Sequence, residues 1–417
     1  MQKKLIAAAV AGALGIPAVA LAQNATVNIY GRMYVEYGFV NQGQNRGVGL
    51  AAPSTDRVNV DILQAPGSSI GFRGEEKLGG GLSAWFQCET TADPRGVNQD
   101  GLCSRNSALG MKGAFGNAFI GNWDTPFKRA RVTTGSAETG VFGTAGLLTG
   151  HSTTAGDGAA PQLFARRQNN SINYESPNFA GFQVMGSTTS TNNATARTNN
   201  AANAKPRVWS VAGTYNNGPL FLSAAYERHT KISSLTSAAA SSPPVAVVAV
   251  PAGAFAGDED GWLVGGSYTF AGKFKLGGMY TRQSWDTTGL PAPFPVGSVG
   301  ESRVRAWQVG AEWAIAGPHS IRAAYTRAGD VSGNGAATVG GLRPAAGIGS
   351  TGAKMYQARY FYALSKRTDF SVGVNQVKND QFAGYNINGV SSNGGGGAAA
   401  GFGGKHTGYA MAFDHRF

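Results

Sequence analysis

Charge is scarce in this chain, and one stretch concentrates it. Between Trp123 and Arg166 lie Asp124, Lys128, Arg129, Arg131 and Glu138, followed by Phe142, Leu147, Leu148 and His151. Acids and bases this close can act in two ways. On an ordinary loop they are solvated. Folded into a water-filled channel, they can set acid opposite base and impose a transverse field on passing ions. Loops of this length are usually functional or disordered. The apolar residues argue that this one packs against something. From the residues alone both readings stay open.

Catalysis has weaker support. His229 and His406 lie near segment ends, where each could meet a serine as in a hydrolase. No G-x-S-x-G, HExxH or metal-spaced cluster accompanies them. Asp258-Glu259-Asp260 could hold a cation, but a solvated loop end is the plainer reading. Gly394 to Gly397 lacks the strand–helix context and the G-K-[ST] that a phosphate loop needs. No cofactor and no metal site is expected. The formal charge of +12 raises nucleic acid as a partner. The cations are scattered singly rather than gathered with stacking aromatics, so no nucleic acid is expected. Cys88 and Cys103 suit one disulfide across a loop in an oxidising compartment, with two unpaired thiols as the alternative.

What could position such a loop is legible at the end of the chain. Tyr409, Met411, Phe413, His415 and Phe417 sit two apart, with Gly408, Ala410, Ala412, Asp414 and Arg416 between them. A period of two gives a strand with one apolar or aromatic face and one small or charged face. A final strand of this kind, ending on an aromatic residue, fits the closure of an outer-membrane barrel, where the last strand pairs with the first. At the other end, Lys3 and Lys4, the apolar run Leu5 to Leu21, and Ala20-Leu21-Ala22 predict a secretory signal over residues 1–22, leaving a barrel domain over 23–417.

Composition agrees. Glycine contributes 62 of 417 residues and charged residues only 14%. Mean hydropathy is −0.16, and after residue 22 no apolar run is long enough for a membrane helix. Barrel strands need only about 9–11 residues, half of them apolar.

The alternation predicts sixteen strands: Thr26 to Val40, Ser68 to Glu75, Leu82 to Thr90, Arg105 to Lys112, Asn117 to Asn122, Arg167 to Glu175, Gly181 to Ser187, Arg207 to Tyr215, Leu220 to Arg228, Trp262 to Phe270, Phe274 to Ser284, Val304 to Ala314, Ser320 to Arg327, Lys354 to Leu364, Asp369 to Val377, and the closing strand Lys405 to Phe417. Short connections alternate with long ones. Asn41 to Gly67 reads as a long polar connection, Asn388 to Gly404 as a low-complexity loop, and Ser241 to Ala256 as an apolar insert suited to the barrel mouth or a neighbouring subunit. Sixteen strands leave an aqueous channel. Strand charges must then face the lumen, since lipid-facing Lys or Arg costs about 2–4 kcal/mol at mid-membrane. That places Arg32 inward with Asn28, Tyr30, Tyr34 and Glu36, and Arg73 inward with Ser69 and Gly71.

Several segments resemble the general porins of Gram-negative bacteria, especially the beta-proteobacterial type: Val27 to Gly31 (VNIYG), Gly71 to Leu82 (GFRGEEKLGGGL), Arg105 to Gly113 (RNSALGMKG), Gly121 to Pro126 (GNWDTP), Asn173 to Pro177 (NYESP), Tyr362 to Thr368 (YALSKRT) and His415-Arg416-Phe417. The resemblance implies an all-β, sixteen-stranded antiparallel transmembrane barrel with short periplasmic turns and long extracellular loops. It also implies a homotrimer that passively passes small hydrophilic solutes, a third loop folded into the pore, and a loop after the third strand latched onto a neighbour. Arg105 matches the family's luminal arginine. A second family arginine falls on Ser69, which weakens the arginine ladder; Arg73, two positions along the same face, can compensate. The expected constriction is Arg32, Arg73, Arg105, Asp124, Lys128, Arg129, Arg131 and Glu138, with a modest anion preference. Expected partners are outer-membrane lipid and lipopolysaccharide, and periplasmic chaperones and barrel-assembly machinery reading Phe417. A substrate-specific channel, with Tyr30 and Tyr34 facing inward, and a surface adhesin on the same scaffold are the alternatives.

Overall fold

A computed structural model describes residues 27–43, 58–97, 101–137, 140–144, 148, 164, 166–189, 207–230, 258–286, 301–333, 349–381, 383, 385–387 and 403–417. The predicted signal segment, Glu138, Leu147, His151, Ser241 to Ala256 and most of 388–404 lie outside these residues.

The described chain is almost entirely strand: β1 (Asn28–Gln42), β2 (Val58–Gln64), β3 (Ser69–Gly79), β4 (Leu82–Thr91), β5 (Ser107–Gly113), β6 (Gly116–Asp124), β7 (Arg167–Glu175), β8 (Phe182–Thr189), β9 (Arg207–Asn217), β10 (Leu220–Thr230), β11 (Glu259–Phe270), β12 (Phe274–Asp286), β13 (Glu301–Ala316), β14 (His319–Ala328), β15 (Ser332–Gly333), β16 (Ala353–Ala363), β17 (Thr368–Asn379) and β18 (Lys405–Arg416). Each pairs antiparallel with its neighbour, and β1 pairs with β18, so the sheet has no free edge. Phe417 completes the seam: its N–H donates to Gly31 O at 3.1 Å and its O accepts from Gly31 N–H at 3.0 Å.

Two of the eighteen segments are continuations. β2 pairs with the upper part of β1 (Glu36 to Gln42), while β3 pairs with its lower part (Asn28 to Arg32). Together they form one wall strand broken at residues 65–68. β15 likewise extends β14 along β13. The wall therefore has sixteen strands.

The sequence reading is corrected at Asn41 to Gly67. β1 runs on to Gln42, and Val58 to Gln64 returns as strand rather than loop. The reason is physical. Inward Val60 and Ile62 oppose Val40 and Gly38, while outward Asn59 and Asp61 are polar. That is the reverse of the mid-membrane pattern. Of its outward residues only Leu63 is apolar, so at this rim the strand lacks the apolar outer face that would announce it. A smaller correction concerns Arg105, which lies just before β5, with its N–H on Glu89 O at 2.9 Å.

The faces are inverted relative to a soluble sandwich. Ile29, Phe72, Leu109, Ile120, Val211, Val264 and Met411 are exposed on the outer face, while Glu36, Ser210, Glu227, Gln308, Thr326 and Asn375 are buried on the inner one. Such an outer band is what lipid demands. The buried apolar cluster lies inside the barrel: Phe127, Val132, Val141, Phe142, Leu148 and Phe164 of the third long connection pack on Val40, Ile62, Leu263 and Met355 of the wall. Each such side chain contributes about 1.5–3 kcal/mol when fully buried, enough to hold a long segment against the wall. No described helix is long and apolar enough to cross a membrane, which says nothing of a β-barrel.

Candidate pore constriction

The connection from β6 to β7 begins with one short turn, α1 (Pro126–Arg129). Thr125 caps it, its hydroxyl accepting from Lys128 N–H at 3.4 Å, and Pro126 fills a position that needs no N–H donor. Phe127 turns inward, and its N–H donates to Ser210 Oγ on β9 at 3.0 Å.

From there the segment follows the inner wall around much of the barrel. Thr134 O accepts from Gln308 Nε2 on β13 at 3.3 Å, and Gly135 N–H donates to Glu312 Oε1 at 3.0 Å. Two glycines permit this approach. A Cβ on Gly310 would lie 1.9 Å from Thr134 O, and one on Gly135 (φ +74°) 2.0 Å from Ala323 O. Further on, Phe142 O accepts from Gln357 Nε2 on β16 at 2.8 Å. Val141 O accepts from Asn375 on β17, and Val141 N–H donates to Glu36 Oε1 on β1 at 2.7 Å. Leu148 O meets Thr281 and Gln283 on β12. Phe164 then stacks on His229 of β10 at 4.8 Å between centroids.

Buried polar anchors hold this path. Glu36 also accepts from Gln64 Nε2 at 2.6 Å and Tyr34 Oη at 2.7 Å. His229 sits between Glu227 (2.9 Å) and Glu259 (3.0 Å), wholly buried. Beside it burial pulls the Arg166 guanidinium below its ordinary pKa, and Glu227 and Glu259 pull against that. His229 therefore faces carboxylates, not a serine. The nitrogens of His406 are buried without a hydrogen-bond partner. The Asp258-Glu259-Asp260 run is dispersed by the strand period: Asp258 pairs with Arg228 at 2.7 Å, while Glu259 turns inward to His229. Among the described residues no group of metal-binding side chains occurs.

The arc from β3 to β7 carries the charge instead. Arg73 lies over the Tyr30 ring at 5.0 Å. Tyr30 Oη donates to Glu89 at 3.2 Å, and Arg105 Nε meets the same carboxylate at 2.6 Å. Asp124 pairs with Lys128 at 3.2 Å and Arg167 at 3.3 Å. Arg129 pairs with Glu175 at 2.5 Å and Lys112 with Glu75 at 3.1 Å. Arg131 Nε donates to Lys128 O at 3.3 Å. Asp124 thus stands beside Lys128 rather than opposite it. Glu138 lies outside the described residues. Arg32 is set apart from this group, doubly bonded to Asp414 at 2.8 and 3.0 Å and stacked on Tyr34. Ser69 is its register partner across β1 and β3.

Sequence reasoning missed Arg167, Arg359 and Arg322. Arg359 bonds Ser371 Oγ at 2.8 Å and Tyr34 Oη at 3.2 Å, and lies 4.2 Å from the Phe142 ring centroid. Arg322 is its register partner. Both stand on the inward phase of strands the alternation had located, so carrying that phase through would have found them. Arg167 is hidden by irregular pairing between β6 and β7 around Gly121 to Trp123. Cys88 and Cys103 are joined in the structure, with Cα atoms 4.7 Å apart. They close a loop that exposes Leu102 (77%) and Val97 (63%).

The family model for Gram-negative porins matches residues 7–381. Among curated relatives, the chain is 30% identical over 184 residues to the major outer membrane protein P.IB of Neisseria gonorrhoeae, covering 44% of this chain and 46% of the relative. It is 29% identical over 321 residues to outer membrane porin protein 32 of Delftia acidovorans, covering 73% and 79%. The chain thus spans about half the length of the first of these. The fold is similar to the anion-selective porin from Comamonas acidovorans, with a TM-score of 0.66 and 22% identity over 94% of this chain and 100% of that one. It is also similar to OmpT of Vibrio cholerae in its trimer form, with a TM-score of 0.59 and 14% identity over 95% and 100%.

Proposed function

Since the chain belongs to the Gram-negative porin family, we propose that it is an outer-membrane diffusion channel that passes small hydrophilic solutes and ions, with a modest preference for anions. The observation that carries this reading is the charged arc. Arg73, Arg105, Lys112, Lys128, Arg129 and Arg167 outnumber Glu75, Glu89, Asp124 and Glu175 on one side of the wall. In a narrow, low-dielectric passage a basic excess raises the local concentration of anions without a tight binding site. Arg32, Arg73, Arg105, Asp124, Lys128, Arg129, Arg131 and Glu138 form the constriction in this proposal, with Arg167, Arg322 and Arg359 added to its basic side.

The working unit is a homotrimer, the exposed Leu102 and Val97 of the Cys88–Cys103 loop docking on a neighbour. The short connections face the periplasm and the long ones the exterior. Residues 1–22 direct export, chaperones and assembly machinery read Phe417, and lipid with lipopolysaccharide surrounds the outer face. The protein acts as a channel rather than an enzyme.

The test is single-channel recording in a planar bilayer under a KCl gradient. Large open steps closing in threes, with a reversal potential favouring chloride, support the reading. A cation-selective step of the same size rejects the charge assignment. No conductance from a folded barrel favours the adhesin alternative.

A further inference from the structure

One row of the outer wall breaks the rule that lipid-facing strands avoid charge. On β14, β16, β17 and β18, Arg327 stands directly opposite Lys354, Lys354 opposite Lys378, and Lys378 opposite Lys405. The row shares its face with outward Tyr356, Val372 and Tyr409, all exposed. Like charges directly across a ladder destabilise it, and here three such contacts follow in succession. Some other cations of the same rim have an acid beside them, Arg228 with Asp258 at 2.7 Å and Arg303 and Arg282 with Glu301, while Arg305, exposed opposite Arg282, adds to the basic rim on β13. Among the described residues none of the four ladder cations forms an ion pair. Lys378 makes only a cation–π contact with Tyr356 at 5.1 Å. The adjacent Asp330 carboxylate is engaged by the N–H groups of Thr351 and Gly352.

The surroundings indicate what neutralises the row. Just toward the membrane centre lie Trp307, Tyr325 and Tyr356, with ring centroids 5.2 and 5.0 Å apart. Such an aromatic girdle marks the level where acyl chains give way to headgroups. Below it the same strands present Val309, Ile321, Val372 and Met411. The cations therefore sit at headgroup depth, at the end of the barrel that carries the long connections. Neighbouring strands are about 4.8 Å apart, so four of them spread their charge over about 14 Å along the rim.

We propose that Arg327, Lys354, Lys378 and Lys405 form a docking ladder for the phosphate groups of a multiply phosphorylated glycolipid, whose acyl chains lie along the apolar strip beneath. This rests on the outer-membrane reading and gives its lipopolysaccharide partner a definite site. Phosphates bridging adjacent cations remove the repulsion that the bare ladder carries. The long Lys and Arg stems lie on the apolar surface while their heads reach the headgroup plane.

The test uses the full-length barrel refolded in zwitterionic detergent, titrated with bisphosphorylated lipid A, its phosphate-free counterpart and inorganic phosphate. Each cation near an anionic lipid surface contributes about fivefold in affinity. The variant R327Q/K354Q/K378Q/K405Q should therefore bind bisphosphorylated lipid A several-hundredfold more weakly. K354R/K378R/K405R should bind it as the parent does. The phosphate-free lipid should bind the parent weakly, and millimolar inorganic phosphate should not displace the lipid. Equal binding by parent and quadruple variant overturns the proposal. So does equal binding of the phosphate-free lipid, displacement by free phosphate, or a variant that loses only its oligomeric state, which would make the row a subunit contact. If the quadruple variant does not fold, K354Q and K378Q alone should each lose about fivefold. Conductance is read in parallel: all four side chains face away from the lumen, so the variant should conduct like the parent. A non-conducting parent that still binds lipid A through the ladder would refute the pore reading and leave this one standing.

Discussion

The inner wall has two unlike halves. From β9 round to β1 the third long connection lies against it, and the wall receives its backbone groups with amides, hydroxyls and glycines and with two carboxylates, Glu36 and Glu312. From β3 to β7 the described residues of that connection do not overlie the wall in this way, and the wall is braced by ion pairs and by Cys88–Cys103. The difference reflects what each half has to satisfy. A backbone laid on a wall brings N–H and C=O groups that need partners; amides and hydroxyls supply most of them, and the buried Glu36 carboxylate is itself satisfied by three donors. Water satisfies charged side chains where the wall meets the lumen, and there they act on passing ions. Substitutions of lumen-facing side chains should therefore cost stability on the covered half and change selectivity on the bare half.

The sharpest break of this contrast is Glu36→Leu. Glu36 is wholly buried and receives hydrogen bonds from Tyr34, Gln64 and Val141. Leucine leaves three donors without a partner, at about 1–3 kcal/mol each before relaxation. We expect a loss of about 3–5 kcal/mol, read as a lower temperature at which the folded barrel converts to the unfolded band on a gel. An unchanged transition would mean that the connection is held without this anchor.

On the bare half the covalent brace sets the next effect. Cys88 and Cys103 are 15 residues apart, a loop length for which closure contributes about 3 kcal/mol. C88S/C103S, or reduction of the parent, should lower the transition by that order. Cys88 pairs with outward Phe72, so the conductance of each channel should persist. A changed conductance would place this loop in the lumen.

Gly310→Val returns to the covered half with a smaller cost, about 1–3 kcal/mol. The added side chain collides with Thr134 O and pushes the connection off β13. The pore should widen and its conductance rise. Conductance at the parent value would show that the connection can shift without altering the passage.

These contrasts were unequally legible in the sequence. The wall was readable because period-two alternation and short glycine turns are local signals, as in Leu82 to Thr90 or Trp262 to Phe270. Val58 to Gln64 was not, since at a rim the outward face is largely polar and imitates a loop. The inward path of the connection was suggested by Phe142 and Leu148, but its anchors Ser210, Gln357 and Asn375 are ordinary polar residues until the fold brings them together. The charge pattern was half legible. Lys128 and Arg129 stand out in a row, but that Asp124 turns to Lys128 and Arg167 depends on irregular pairing that no spacing rule exposes.

The smallest expected change in stability, and the most direct test of the bare half, is R105Q/R129Q/R167Q. Each arginine is partly exposed and paired with one carboxylate, and such pairs contribute about 0–1 kcal/mol. The barrel should therefore stay folded with a transition near that of the parent. Three positive charges leave the lumen while Glu89, Glu175 and Asp124 stay, so the field along the passage becomes more acidic. The reversal potential under a KCl gradient should move toward potassium, and the shift should grow as salt is lowered and screening weakens. The matched neutral change on the covered half, Gln308→Leu, removes no charge and should leave the reversal potential where it is. If both variants shift it equally, the halves do not divide the work. If neither does, selectivity is set by charges other than this arc.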